Sequence, residues 1–225
     1  MQPLVGLLLD AESRLVRVWA LELLKALHGE RLGALGTSQL MTQALIFARS
    51  QLPGLRAVVY ESPEHRDPLR DDFDLVATYL RPDDQDLYLQ KLETMTWGLH
   101  ATEAYLEAHG RPQSVDSLAD HTIWLHYIPG DPLDHLPLAG GGEVAVRPVC
   151  ATTNPQVVIH AVEEGLGLGF YPWQLAGTGA QTQTVLQDEV VRERALYMVA
   201  GLRERESPRI QLALQILDWL RVEWL

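Results

Sequence analysis

One cysteine, Cys150, stands in 225 residues, so the chain can close no intramolecular disulfide and suits a reducing compartment. It lies in an apolar run and reads as a small core residue rather than a nucleophile. Basic residues are also in short supply: 18 Lys and Arg stand against 30 Asp and Glu, a net charge of -12. Nothing resembles the Lys/Arg stripe that phosphate contacts need, so this chain by itself is not expected to bind DNA. No apolar run approaches the roughly 20 residues that span a bilayer. The apolar start Pro3–Leu9 lacks a basic flank and runs into Asp10 and Glu12, unlike a secretory signal. Together these features predict a soluble, cytoplasmic protein with no membrane partner.

Catalytic signatures are missing as well. None of the eight histidines forms the i, i+4 pair of a zinc protease helix, and no Gly-x-Ser-x-Gly elbow or Gly-x-x-x-x-Gly-Lys loop occurs. His121 and His126 are expected on opposite faces of one strand, unable to share a metal. The run Gly140–Gly142 precedes a predicted strand, not a helix, and so cradles no phosphate. Asp71-Asp72 and Glu163-Glu164 read as solvated faces. No enzyme, metal or cofactor is expected.

What is present is the patterning of one large or two small α/β domains. The most informative stretch runs from Ala151 to Trp173. Asn154 is placed to cap a helix that Pro155 opens, Val157, Val158, Ala161 and Val162 recur at helical spacing, and Gly165 supplies the stop. A strand follows, in which Gly167 and Gly169 allow close backbone approach. A helix N-terminus beside two threonines and an asparagine suits a carboxylate or phosphate, although an ordinary capped helix has the same pattern.

Taken in order, Leu8–His28 reads as a helix apolar on so much of its surface that it needs more than one neighbour. Leu32–Gly36 is a short strand, and Thr37 or Ser38 caps a helix through Leu52. Strands are predicted at Leu55–Tyr60 and Phe73–Leu80, with a short polar helix or loop between them at Pro63–Asp71. Leu87–His100 is strand-like, and Thr102–Ala108 is a helix stopped by Gly110. A short helix capped by Ser114 leads to a strand over Thr122–Ile128. Pro129–Gly142 is a loop, and Glu143–Cys150 a strand. Gln174–Gln183 is a loop, Ala195–Gly201 a strand and Pro208–Trp224 an amphipathic helix.

Several of these pieces, in this order, resemble the effector-binding domain of LysR-type transcriptional regulators. The carriers are Leu32-Gly33-Ala34-Leu35-Gly36-Thr37-Ser38, Gln51-Leu52-Pro53-Gly54-Leu55 and Phe73-Asp74-Leu75-Val76-Ala77. Further along are Tyr105–Pro112 followed by Ser117-Leu118-Ala119-Asp120-His121, and then Ala161–Pro172. Each is weak alone; five in order carry the resemblance from about Arg31 to the C-terminus. The family normally begins with a winged helix-turn-helix, which this sequence does not show, and Leu8–His28 falls where its linker helix lies.

The resemblance implies an α/β fold of two Rossmann-like lobes joined by two crossing strands, like type 2 periplasmic binding proteins, preceded by a linker helix. It divides the chain into a linker and dimerisation helix at 1–29, lobe one at 30–95 and 174–225, and lobe two at 96–173. The crossings are expected near Leu92–His100 and Phe170–Trp173. It further implies an effector-sensing domain whose cleft closes on a small, anionic metabolite. The partners implied are that effector and further copies of the chain, as homodimer or tetramer. DNA would be contacted only through a winged helix-turn-helix absent from this chain.

Ligands of open α/β sheets bind beyond the carboxyl ends of strands. That rule and the family's pattern nominate Thr37, Ser38 and Gln39 after the first strand, and Thr153 and Asn154 before the late helix. Tyr60, with Glu61, is a candidate at the cleft edge, and Trp97, Gly98 and Tyr171 are candidates for its floor. The plain alternatives are helix capping for the hydroxyl residues and core packing for Trp97 and Tyr171. A stand-alone solute-binding protein, or an interaction domain with a vestigial cleft, would share the same fold.

Overall fold

The computed structural model describes residues 15–19, 46, 48–50, 56–60, 75–175, 182–201, 211–212, 214–216 and 218–219. They divide into two compact units: Thr94–Arg194 form the second, and the described residues on either side form the first. No helix among them is long and apolar enough to cross a membrane.

The first unit is built on β1 (Leu15–Trp19), flanked in parallel by β2 (Arg56–Tyr60) and β3 (Leu75–Thr78). β3 pairs antiparallel with the end of β11 (Val191–Gly201), Met198 opposite Ala77. Parallel strands fit the strand–helix alternation of the sequence, and residues 46 and 48–50 are helical within the predicted first helix. The expected helix over Leu8–His28 is corrected at its centre, where Leu15–Trp19 form a strand. Val16, Val18 and Trp19 favour extended backbone, and pairing on both sides overrides the helical spacing of the apolar residues. The rest of that stretch, the strand at Leu32–Gly36 and the segment Pro63–Asp71 lie outside the described residues.

In the second unit β9 (Leu168–Pro172) runs between β4 (Leu87–Thr102) and β5 (Ile123–His126). β8 (Pro148–Thr152) pairs in parallel with β5, and β10 (Thr182–Val185) antiparallel with β4. All five residues of β9 are buried, as a central strand requires. Helix α1 (Glu103–His109) starts where the Thr102 hydroxyl accepts from Tyr105 N at 3.3 Å and stops at Gly110. A 3-10 turn at Val115–Asp120 follows Ser114. The predicted strand Glu143–Cys150 is two strands, β7 (Glu143–Ala145) and β8, because Val146 N–H turns to Asp134 O at 2.8 Å. β7 makes a hairpin with β6 (His135–Pro137) inside the predicted loop.

Helix α2 (Pro155–Glu163) matches its sequence signals. Asn154 caps it, Pro155 opens it, and it ends in a left-handed Gly165 with Leu166 N–H returned to Ala161 O at 3.0 Å. It lies so close to β9 that a Cβ on Gly169 would collide with Val158 and Val162. Leu99, Ile123, Leu125, Phe170, Val158 and Val162 are buried about this contact.

The chain passes between units within β4, at Glu93–Thr94, and within β11, at Arg194–Ala195. The second passage is therefore not at Phe170–Trp173: β9 is interior to the second unit, and residues 182–194 belong there too.

Candidate functional site

Five of the nominated residues fall in the second unit. Trp97 is buried on β4, and its indole Nε1–H donates to His126 Nδ1 at 3.1 Å, the two rings nearly parallel. An indole can only donate, so Nδ1 is the acceptor and the ring proton sits on Nε2. Burial lowers the His126 pKa to about 3, with the Thr153 backbone opposing it, so the ring is neutral. Trp97 and His126 thus meet across β9.

The turn from β8 into α2 is closed by its own polar groups. Tyr127 N–H bonds Thr152 O at 3.0 Å, and the Thr152 hydroxyl accepts from Asn154 N at 3.0 Å. Asn154 Oδ1 accepts from Gln156 N at 2.8 Å, and Pro155 has no N–H. The capping alternative therefore describes the Asn154 oxygen. Thr153 is half-buried and Asn154 exposed, and among the described residues the Thr153 hydroxyl and Asn154 Nδ2 have no protein partner. No acidic side chain occupies the first turn of α2, so the positive end of the helix dipole is not offset there.

Gly98 faces Tyr171 in the ladder between β4 and β9. A Cβ at Gly98 would run into the Trp173 indole, so glycine is what seats that ring. Tyr171 is fully buried and stacks on His100 with ring centroids 4.2 Å apart. Its hydroxyl has no hydrogen bond of good geometry; burial pushes the phenol up, the Thr182 side chain acting weakly against it and Glu163 adding to it. His100 is lowered to about 4 by burial, against a backbone bond from Tyr171, and its Nε2 is enclosed without a partner. Packing thus accounts for the placement of Trp97 and Tyr171.

Thr37, Ser38, Gln39 and Glu61 lie outside the described residues, and Tyr60 ends β2 opposite Trp19 in the first unit. His121 lies before β5, its Nδ1 3.1 Å from the Tyr105 hydroxyl, and no cluster of three or more metal-ligating side chains exists among the described residues. Cys150 is half-buried on β8 rather than in the core. A concavity of about 750 Å3 between the 3-10 turn and the Val144–Pro148 segment contains none of the nominated residues.

His126 was not nominated from sequence. The signal was present: a histidine at the apolar end of Ile-Trp-Leu-His must find partners if it is buried.

No curated protein matches the chain. Solved structures do. The CrgA regulatory domain, of a LysR-type regulator from Neisseria meningitidis, matches with a TM-score of 0.73 at 16% identity, over 95% of this chain and 100% of that one. The regulatory domain of the C227S variant of AphB from Vibrio vulnificus gives 0.69 at 20%, covering 92% and 99%. The effector domain of AmpR from Pseudomonas aeruginosa gives 0.62 at 13%, covering 93% and 96%. At these identities the likeness establishes the fold. The model of the LysR substrate binding domain matches residues 31–221, and the chain belongs to that family.

Proposed function

We propose that this effector-binding domain recognises a small anionic metabolite, and that the turn Thr153–Asn154 supplies donors to it. The observation that supports this is the spent state of the turn: what it leaves unpaired are a hydroxyl and an amide NH2, at a helix N-terminus without an acidic neighbour. Such groups suit a carboxylate. The domain would serve a cytoplasmic LysR-type transcriptional regulator, as a homodimer or tetramer, with no catalytic role. DNA would be reached only through a winged helix-turn-helix module. Thr37, Ser38, Gln39, Tyr60, Trp97, Gly98 and Tyr171 remain proposed ligand-binding residues on the family's pattern.

A thermal-shift screen of small carboxylates, amino acids and aromatic acids tests this reading. A ligand at 100 times its dissociation constant adds about 2.7 kcal/mol. A hit that Thr153→Ala with Asn154→Ala abolishes supports the turn; a hit that survives the double substitution removes it. Silence across the panel, with strong self-association, favours an interaction domain instead.

A further inference from the structure

The concavity of about 750 Å3 in the second unit lies between the 3-10 turn Val115–Asp120 and the segment in which the chain leaves β7 and enters β8. Such a volume suits a small organic ligand. Part of its lining is aliphatic: Leu118 and Val146 are buried there and Val144 is half-buried. Beside them stand charges of both signs. Asp116 and Arg147 line the concavity, both exposed, and among the described residues neither has an ion pair or hydrogen bond. Asp134 lines it too, with one carboxylate oxygen 2.7 Å from His135 Nδ1.

His121 adds a donor to this lining. The Tyr105 oxygen accepts Thr122 N–H at 3.3 Å, and among the described residues the acceptor in reach of the phenol proton is His121 Nδ1, at 3.1 Å. The ring proton of His121 then sits on Nε2, on the side of the ring away from Tyr105. Burial lowers the His121 pKa, Asp120 acting against it and His109 with it, so the ring is neutral at pH 7. Arg147 and the His121 Nε2–H suit an anion, and Asp116 and Asp134 suit a cation. A hydrocarbon would strip water from these groups without pairing them. A simple anion or a simple amine would use one half of the set.

We propose that this concavity is a second ligand site, for a zwitterionic amino acid with a large apolar side chain. The carboxylate would meet Arg147 and His121, the ammonium Asp116 and Asp134, and the side chain Leu118, Val144 and Val146. The inference does not depend on the effector reading of the Thr153–Asn154 turn. Because the charged residues are exposed, each ion pair adds only a few-fold in affinity, and selectivity comes from satisfying both ends at once.

The test is a titration of the whole chain, followed by 15N NMR, with L-phenylalanine, 3-phenylpropionate and phenethylamine; the second lacks the ammonium and the third the carboxylate. L-Phenylalanine should shift the amides of Leu118, Val144 and Val146, and each analogue should bind there about fivefold more weakly. R147A should weaken L-phenylalanine by a similar factor and leave phenethylamine within about twofold, while D116A should do the same with 3-phenylpropionate spared. Thr153→Ala with Asn154→Ala should change none of these affinities. L-Phenylalanine without effect on the three amides overturns the site. Analogues that bind as well as the amino acid overturn the zwitterion, in a comparison that needs no substitution. Equal losses for L-phenylalanine and phenethylamine in R147A overturn the role of Arg147. Shifts abolished by the double substitution assign the ligand to the turn and overturn a second site.

Discussion

Gln174 is paired with the β4 backbone at Thr96 as though it were a strand: its Oε1 accepts from Thr96 N at 3.1 Å. Its Nε2 donates to Thr94 O at the same distance. The ladder between β4 and β9 ends at Trp97 and Pro172, so one side-chain amide continues it for two more residues. Gln174→Glu keeps the acceptor and turns a second oxygen on the Thr94 carbonyl. Chemical denaturation should show a loss of about 1–3 kcal/mol at neutral pH. The loss should shrink below pH 4, where the acid can donate again; a loss independent of pH would contradict the pairing.

His100 and His126 make stability depend on pH. Both have folded pKa values below the unfolded 6.5, about 4 and about 3. The unfolded chain therefore binds more protons between these values and 6.5. Their contribution is complete above pH 6.5 and is lost as pH falls towards 4 and then 3, at up to about 1.4 kcal/mol per pH unit for each ring. Denaturation midpoints measured from pH 7 to pH 4 should fall, and H126Q should flatten part of the slope. An unchanged slope in that variant would place the acid sensitivity elsewhere.

Asp131 holds two arginines. Its carboxylate lies 2.8 Å from Arg192 NH1, bonds Arg194 NH2, and accepts Ile128 N–H at 3.1 Å, with its side chain only 10% exposed. Glu143 also lies near Arg192, at 3.8 Å. Asp131→Ala would leave two poorly hydrated cations side by side, at a cost of about 3 kcal/mol. Equal stability of variant and wild type in urea would show that the cluster is solvated.

Gly169→Ala should destabilise the second unit by roughly 1–3 kcal/mol, since the methyl meets Val158 and Val162 of α2. Gly98→Ala meets a single movable ring instead, so it should shift tryptophan emission more than it shifts the melting temperature. Emission and melting curves of the two variants distinguish the cases.

How far the sequence carried follows from where its signals were local. α2 was readable residue by residue, because Asn154, Pro155 and Gly165 each act within one turn of the chain. The same holds for α1, between Thr102 and Gly110. β1 was not: Leu15, Val18 and Trp19 satisfy a helical spacing as well as a strand, and its two partners lie about 40 and 60 residues away, beyond any local pattern. β6 hid in a Pro- and Gly-rich run because a three-residue strand carries almost no periodicity. At the site, Thr153 and Asn154 could be nominated as a helix start. The bond between Trp97 and His126 could not, since the two lie 29 residues apart in sequence.

The hydrogen bonds that close the turn from β8 into α2 join neutral groups: the Thr152 hydroxyl, the Asn154 amide and backbone peptides. Mobile ions have nothing there to screen. Raising the ionic strength should therefore leave the shape of the turn untouched, and any salt dependence of effector affinity will count the charge of the effector rather than a rearrangement of its receptor.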